Sequence, residues 1–178
     1  MQESKCRKIE ALSFEGRYIM DKNDIFRLIL SIIVCQMAGI IGSALTAGSL
    51  KDWYSTLVTP SFTPPGSTIG LIWIILFTLM GVSLFLVWRE VPENPAARTA
   101  LYFFGAQLIV NVLWNVAFFS LRSPASGLMV IAVLWILILI TIVKFWPINK
   151  TAALLLVPYI IWVSVAAYLN YSIWRLNP

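Results

Sequence analysis

The sequence has no histidine, only two cysteines among its 178 residues, and just 12% charged residues. Without histidine the commonest zinc and haem ligand is missing. Cys6 and Cys35 lack metal-ligand spacing and are not expected to pair; Cys35 reads as a small packing residue. Phosphate-cradling glycine loops, HExxH and GxSxG are also absent. A soluble domain would carry about a quarter charged residues, so the shortage of charge speaks first about the surroundings of the chain.

The few charges are segregated. Uncharged runs cover 28–50, 53–88, 99–121, 123–143 and 151–174. A helix crosses a hydrocarbon core with roughly 20 apolar residues. The run 53–88 is too long for one crossing, but its Pro/Gly cluster divides it into a loop and a helix. The expectation is an all-α integral membrane protein, a five-helix bundle with spans near 27–47, 67–88, 99–121, 124–144 and 151–174. Residues 48–66 are expected to form a loop, residues 1–24 a poorly ordered polar tail, and 25–178 a single transmembrane domain. LMVIAVLWILILITIV (128–143) is continuously apolar, without the period-2 alternation of a membrane barrel.

Asp, Glu, His, Lys and Arg are missing from the interior of every span. That argues against a proton pump or ion-coupled transporter, whose moving charge needs a titrating group. With the motif inventory, it also argues against ordinary acid–base or metal catalysis, and no metal or required cofactor is expected.

The net charge of +5 is unevenly distributed. Lys5, Arg7, Lys8, Arg17, Lys22, Arg27, Arg89, Arg98, Lys144 and Lys150 fall on one side, which holds ten of the thirteen cations. Lys51, Arg122 and Arg175 fall on the other. The positive-inside rule then places the N-terminus in the cytoplasm and the C-terminus outside, in a bacterial cytoplasmic membrane. Contact with anionic lipid, not nucleic acid, accounts for the basic residues. No signal-peptide core follows the basic residues of the tail, and Met20 is a candidate initiator.

Aromatics are plentiful: eight Trp, six Tyr and ten Phe. Trp53, Trp88, Trp146 and Trp174 sit at span ends, as an interfacial belt requires. Trp73, Trp114, Trp135 and Trp162 lie within spans, and as a group they point to an aromatic cavity. On helix three, Gln107, Asn111 and Asn115 recur every four residues and share a face with Phe118. Such amides must face other helices, either as structural glue or as ligand contacts. Trp73 and Phe77 form one stripe on helix two, while Ala166, a turn from Trp162, leaves room for a bulky ligand. The small residues of AGIIGSALTAG (38–48) serve either internal packing or a dimer face.

WYSTLVTPSFTPPG (53–66) followed by GLIW, then GAQLIVNVLWN (105–115) and PYIIWVSVAAYLNYSIWRLN (158–177), resembles the translocator protein family, also called tryptophan-rich sensory proteins. The resemblance covers about residues 28–177. It implies a five-helix bundle whose pocket is closed by the first loop, often assembled as a homodimer. It also implies ligands: protoporphyrin IX, haem-like tetrapyrroles, sterols in some members and synthetic aromatic drugs. By that resemblance Trp73 and Trp162 fall on the tryptophans used in light-dependent porphyrin breakdown. Tyr54 and Pro64 match loop positions over the pocket, and Phe77, Asn111, Phe118, Ala132 and Ala166 match its lining. Phe62 departs from the pattern, standing where the family commonly has tryptophan.

Leu169, Tyr171 and Arg175 fit a sterol-recognition spacing, which also describes an ordinary interfacial helix end. Three functions follow as expectations. One is a receptor or carrier for tetrapyrroles, with Lys51 near the rim for their carboxylates. Another is a light-dependent porphyrin-degrading enzyme. The third is a structural or regulatory membrane partner, or a sterol or lipid binder.

Overall fold

Three of the long helices begin at a side-chain cap. In the computed structural model, which describes residues 21–177, Asp21 caps α1 (Lys22–Asp52) by accepting from Lys22 N. Asn94 caps α3 (Pro95–Asn115), accepting from Ala96 N at 3.0 Å. Ser123 caps α4 (Pro124–Phe145), accepting from Ser126 N at 3.2 Å. In α3 and α4 a proline takes the first helical position, where its missing N–H leaves nothing unpaired. Between them, α2 spans Gly66–Trp88.

Among the described residues five helical segments are long and apolar enough to cross a membrane, and the chain is an integral, multi-pass membrane protein. Three boundaries differ from the sequence expectation. Helix α1 is longer at both ends: it takes in Lys22–Asp24 from the expected tail and runs on to Asp52. The connecting loop is therefore residues 53–65, with a single 3-10 turn at Tyr54–Thr56. No proline interrupts 48–52, and Lys51 sits in the last turn, where it complements the helix dipole. The fifth span is broken into α5 (Lys150–Leu155) and α6 (Val157–Leu176). Pro158 supplies the reason, since it cannot donate to the carbonyl four residues back. The rest of the expected tail, with Cys6 and the Met20 reading, lies outside the described residues.

The third difference is at the end of α3. Residues Val116–Ser120 form a π turn, with Leu121 N donating to Val116 O at 2.9 Å. The widened turn lets two consecutive residues, Phe118 and Phe119, both be buried (2% and 9% exposed). Such turns recur at functional sites.

The spans form a ring in the order α2, α1, α3, α4, α5/α6. It closes where α2 meets α5, with Ser83 Oγ donating to Ala152 O at 2.7 Å. Toward the loop 53–65, α2 makes only marginal contact with α6. At the opposite end Asp24 and Arg89 pair at 3.9 Å, and Arg27 stands over the Trp88 ring at 6.0 Å. The core is thus tight at the end where α1 begins and divided at the end that the loop covers.

Candidate functional site

The divided end holds a cavity of about 540 Å³. Its wall comes from α1, the loop, α2, α3, the π turn and α6, and none of its lining residues is charged. Trp73 stacks on Phe77 (ring centroids 5.4 Å apart) and meets Tyr159 edge-on at 6.2 Å. Trp114 stacks on Phe118 at 5.6 Å. The loop lies over this end: Tyr54 packs against Phe118 at 6.3 Å and Phe119 at 5.7 Å, and Pro64 lines the cavity. Burial raises the Tyr54 phenol above its ordinary pKa. Trp53, expected in the interfacial belt, is half-buried with its ring edge-on to Phe118 at 5.7 Å.

The amide stripe of α3 splits between roles. Asn111 Nδ2 donates to Tyr159 Oη at 2.9 Å, and Asn115 Nδ2 donates to Asn111 O at 3.1 Å. Thr46 Oγ1 lies 3.1 Å from Asn115 Oδ1 and donates at 2.7 Å to Gly42 O. Trp114 Nε1 donates to Asn170 Oδ1 at 3.2 Å, while Asn170 Nδ2 donates to Pro124 O at 2.7 Å. These bonds tie helices together, so the polar groups hold the wall in place while the rings cover it. The indole nitrogen of Trp162 is different: it is buried and has no partner among the described residues.

Most of the expected site residues meet here: Tyr54, Pro64, Trp73, Phe77, Asn111, Trp114, Asn115, Phe118, Trp162 and Ala166 all line the cavity. Other expectations are corrected. Gln107 is 1% exposed, a turn from Asn111 toward the tight end, and lies outside the wall; neither atom of its amide has a hydrogen-bond partner among the described residues. Ala132 is exposed, because α4 turns Ile131, Leu134 and Ile138 inward and contributes nothing to the cavity. Trp135, on the same helix, is 36% exposed and donates to Ser164 Oγ at 2.9 Å on the outer surface. Leu169, Tyr171 and Arg175 do not form one surface: Leu169 lines the cavity, whereas the other two are exposed. Lys51 is exposed and outside the wall.

Sequence reasoning missed the contribution of α1. Gln36, Gly39, Gly42, Ser43 and Thr46 line the cavity. Their signal was the small-residue stripe, and internal packing explains part of it. A Cβ on Gly42 would lie 2.8 Å from Asn115 Nδ2, so only glycine lets that amide sit against α1.

The sequence model of the TspO/MBR family matches residues 31–175. The chain belongs to the TspO/MBR family. Within it, the chain is 40% identical over 154 residues to tryptophan-rich protein TspO of Chlorobaculum tepidum, covering 86% of this chain and 98% of the relative. Protein CrtK of Rhodobacter capsulatus is 39% identical over 146 residues, covering 82% and 89%. Translocator protein of Sus scrofa is 32% identical over 146 residues, covering 82% and 86%. The family match spans every cavity-lining helix, including the cavity portion of α1.

Proposed function

We propose that this protein is a membrane receptor or carrier that binds a flat, largely apolar tetrapyrrole such as protoporphyrin IX beneath the loop 53–65. The observation that carries the reading is the cavity: about 540 Å³, uncharged, and walled by Trp73, Phe77, Trp114, Phe118 and Trp162. Its volume lies in the ordinary range for small-molecule sites. Aromatic faces suit a planar macrocycle. The macrocycle's carboxylates need cations, and Lys51 in the last turn of α1 is the nearest in sequence to the loop. Relatives named tryptophan-rich sensory protein and translocator protein accord with a sensory or carrier role.

A second reading rests on the placing of Trp73 and Trp162 in one cavity wall. An indole beside a photoexcited porphyrin is a one-electron donor, which would make the protein a light-dependent porphyrin-degrading enzyme. The test is protoporphyrin IX absorbance followed in light and in darkness with wild type, Trp73→Phe and Trp162→Phe. Binding without bleaching supports the receptor. Bleaching that both variants abolish supports the enzyme.

A further inference from the structure

The cavity wall is sealed on some helices and open on others. No lining residue of α3, the π turn, α6 or the loop is exposed. The exposed lining residues are Ile40, Ser43 and Leu50 on α1, and Gly66, Gly70 and Ile74 on α2. Ile40 and Ile74 are 59% and 58% exposed.

The separation of α1 and α2 can be followed along their length. Near the tight end a Cβ on Gly81 would lie 2.6 Å from Ile32 Cα, so the two backbones touch. One step further, Gln36 Nε2 bridges the pair, donating to Ile74 O at 3.0 Å and Thr78 Oγ1 at 2.9 Å. Just past that bridge a Cβ on Gly39 would still lie 2.6 Å from the Phe77 ring; further on, a Cβ on Gly70 or Gly66 would meet nothing within 4 Å. The helices run antiparallel, so counting eleven residues from the Ile32–Gly81 contact along each (32 to 43, 81 to 70) sets Ser43 opposite Gly70. Ile74 lies eight residues inside the start of α2 at Gly66, and Ile40 twelve inside the end of α1 at Asp52. At 1.5 Å per residue these are depths of roughly 12 and 18 Å. The gap therefore lies within the apolar span, beside hydrocarbon and not above it.

We propose that this gap is a lateral portal through which the ligand passes directly between bilayer and cavity, with Gln36 as its sill and Ser43 and Gly70 as its sides. The loop, by contrast, is fastened. Val58 N donates to Asn177 Oδ1 at 2.9 Å, Asn177 Nδ2 donates to Val58 O at 3.0 Å, and Phe62 stacks on Tyr168 at 5.3 Å. An amphiphilic or apolar ligand dissolved in the membrane would reach the site without crossing the loop. The portal rests on the tetrapyrrole-binding reading above and names its route.

The experiment is stopped-flow tryptophan quenching in nanodiscs, in darkness, with protoporphyrin IX pre-partitioned into the lipid. Wild type is compared with Gly70→Phe, Ser43→Trp and Asn177→Ala, each checked for native near-UV dichroism. A Cβ at Gly70 meets no atom within 4 Å, and Ser43 obstructs from the opposite side, so one variant guards against misfolding of the other. Both are expected to slow association and dissociation together, each about tenfold, because a narrowed doorway hinders both directions. A side chain that only deformed the cavity would instead speed dissociation. Asn177→Ala, which frees the loop, is expected to leave association unchanged. Association unaltered by both obstructions, or accelerated by freeing the loop, overturns the portal and leaves the binding reading intact. Absence of saturable quenching in wild type overturns the binding reading and the portal with it.

Discussion

Asn177 and Val58 exchange two hydrogen bonds, the side-chain amide of one matching the backbone N–H and C=O of the other at 2.9 and 3.0 Å. Asn177 Nδ2 also donates to Ile173 O at 2.8 Å, so the clamp is braced on the last turn of α6. It fixes the middle of the loop 53–65 to the opposite side of the cavity mouth.

Asn177→Ala removes both bonds and should loosen the loop without unfolding the bundle. At about 1 kcal/mol per bond, exchange of the Val58 amide proton should speed up by roughly 10- to 30-fold. Hydrogen exchange read by mass spectrometry over residues 53–65 checks this. Unchanged protection there would mean that the clamp does not hold the loop.

Asn170 couples three elements, accepting from Trp114 on α3 and donating to Pro124 O at the head of α4 from its own place on α6. Asn170→Leu strands the Trp114 N–H and removes the side-chain bond to the Pro124 carbonyl. With about 1–3 kcal/mol for each stranded buried group, the melting temperature in detergent should fall by several degrees. The same variant combined with Trp114→Phe should fall less than the sum of the two single changes. Additive losses would deny the coupling.

Gln107 makes the opposite prediction. It is almost wholly buried, yet neither amide atom has a hydrogen-bond partner among the described residues. An unpaired buried amide is destabilising, so Gln107→Leu, of similar size and apolar, should be neutral or stabilising by about 1–2 kcal/mol. A clear drop in thermal stability would reveal a polar contact at this position that the fold depends on.

Tyr54 gives the pH dependence. Burial disfavours its phenolate and raises its pKa above the ordinary value of 10.0. The folded pKa is the higher one, so the stabilising contribution is complete below the unfolded value. It is lost as pH rises from that value through the folded pKa. Packing of Tyr54 on Phe118 and Phe119 should therefore be constant through neutral pH. Phenolate absorbance in wild type minus Tyr54→Phe should rise only above the ordinary tyrosine range, and a rise within that range would contradict the packing.

The span count and the inward face of α3 were legible because both are written in short-range pattern: charge-free length for the spans, four-residue spacing for Asn111 and Asn115. What escaped depends on neighbours. Whether Gln107 or Asn111 reaches the cavity depends on how deep it runs beside Phe77, which lines it, and no spacing encodes that. Trp135 lies at mid-span like Trp114, but α4 is an outer helix with respect to the cavity, and an apolar run shows no preferred face. The role of α1 was hidden because glycine and serine are chosen there for what they leave empty. The π turn at Val116–Ser120 changes the register of a segment whose sequence reads as ordinary helix.

The most direct test of the account is dark equilibrium quenching by protoporphyrin IX in wild type, Ala166→Phe and Trp135→Phe. Ala166 lines the cavity beside Trp162, and Trp135 lies on the outer surface. Saturable quenching in wild type and Trp135→Phe, weakened about tenfold or more in Ala166→Phe, is the expected result, equivalent to at least about 1.4 kcal/mol of lost binding. Equal affinity in all three, or no saturation in wild type, would contradict the cavity as the binding site.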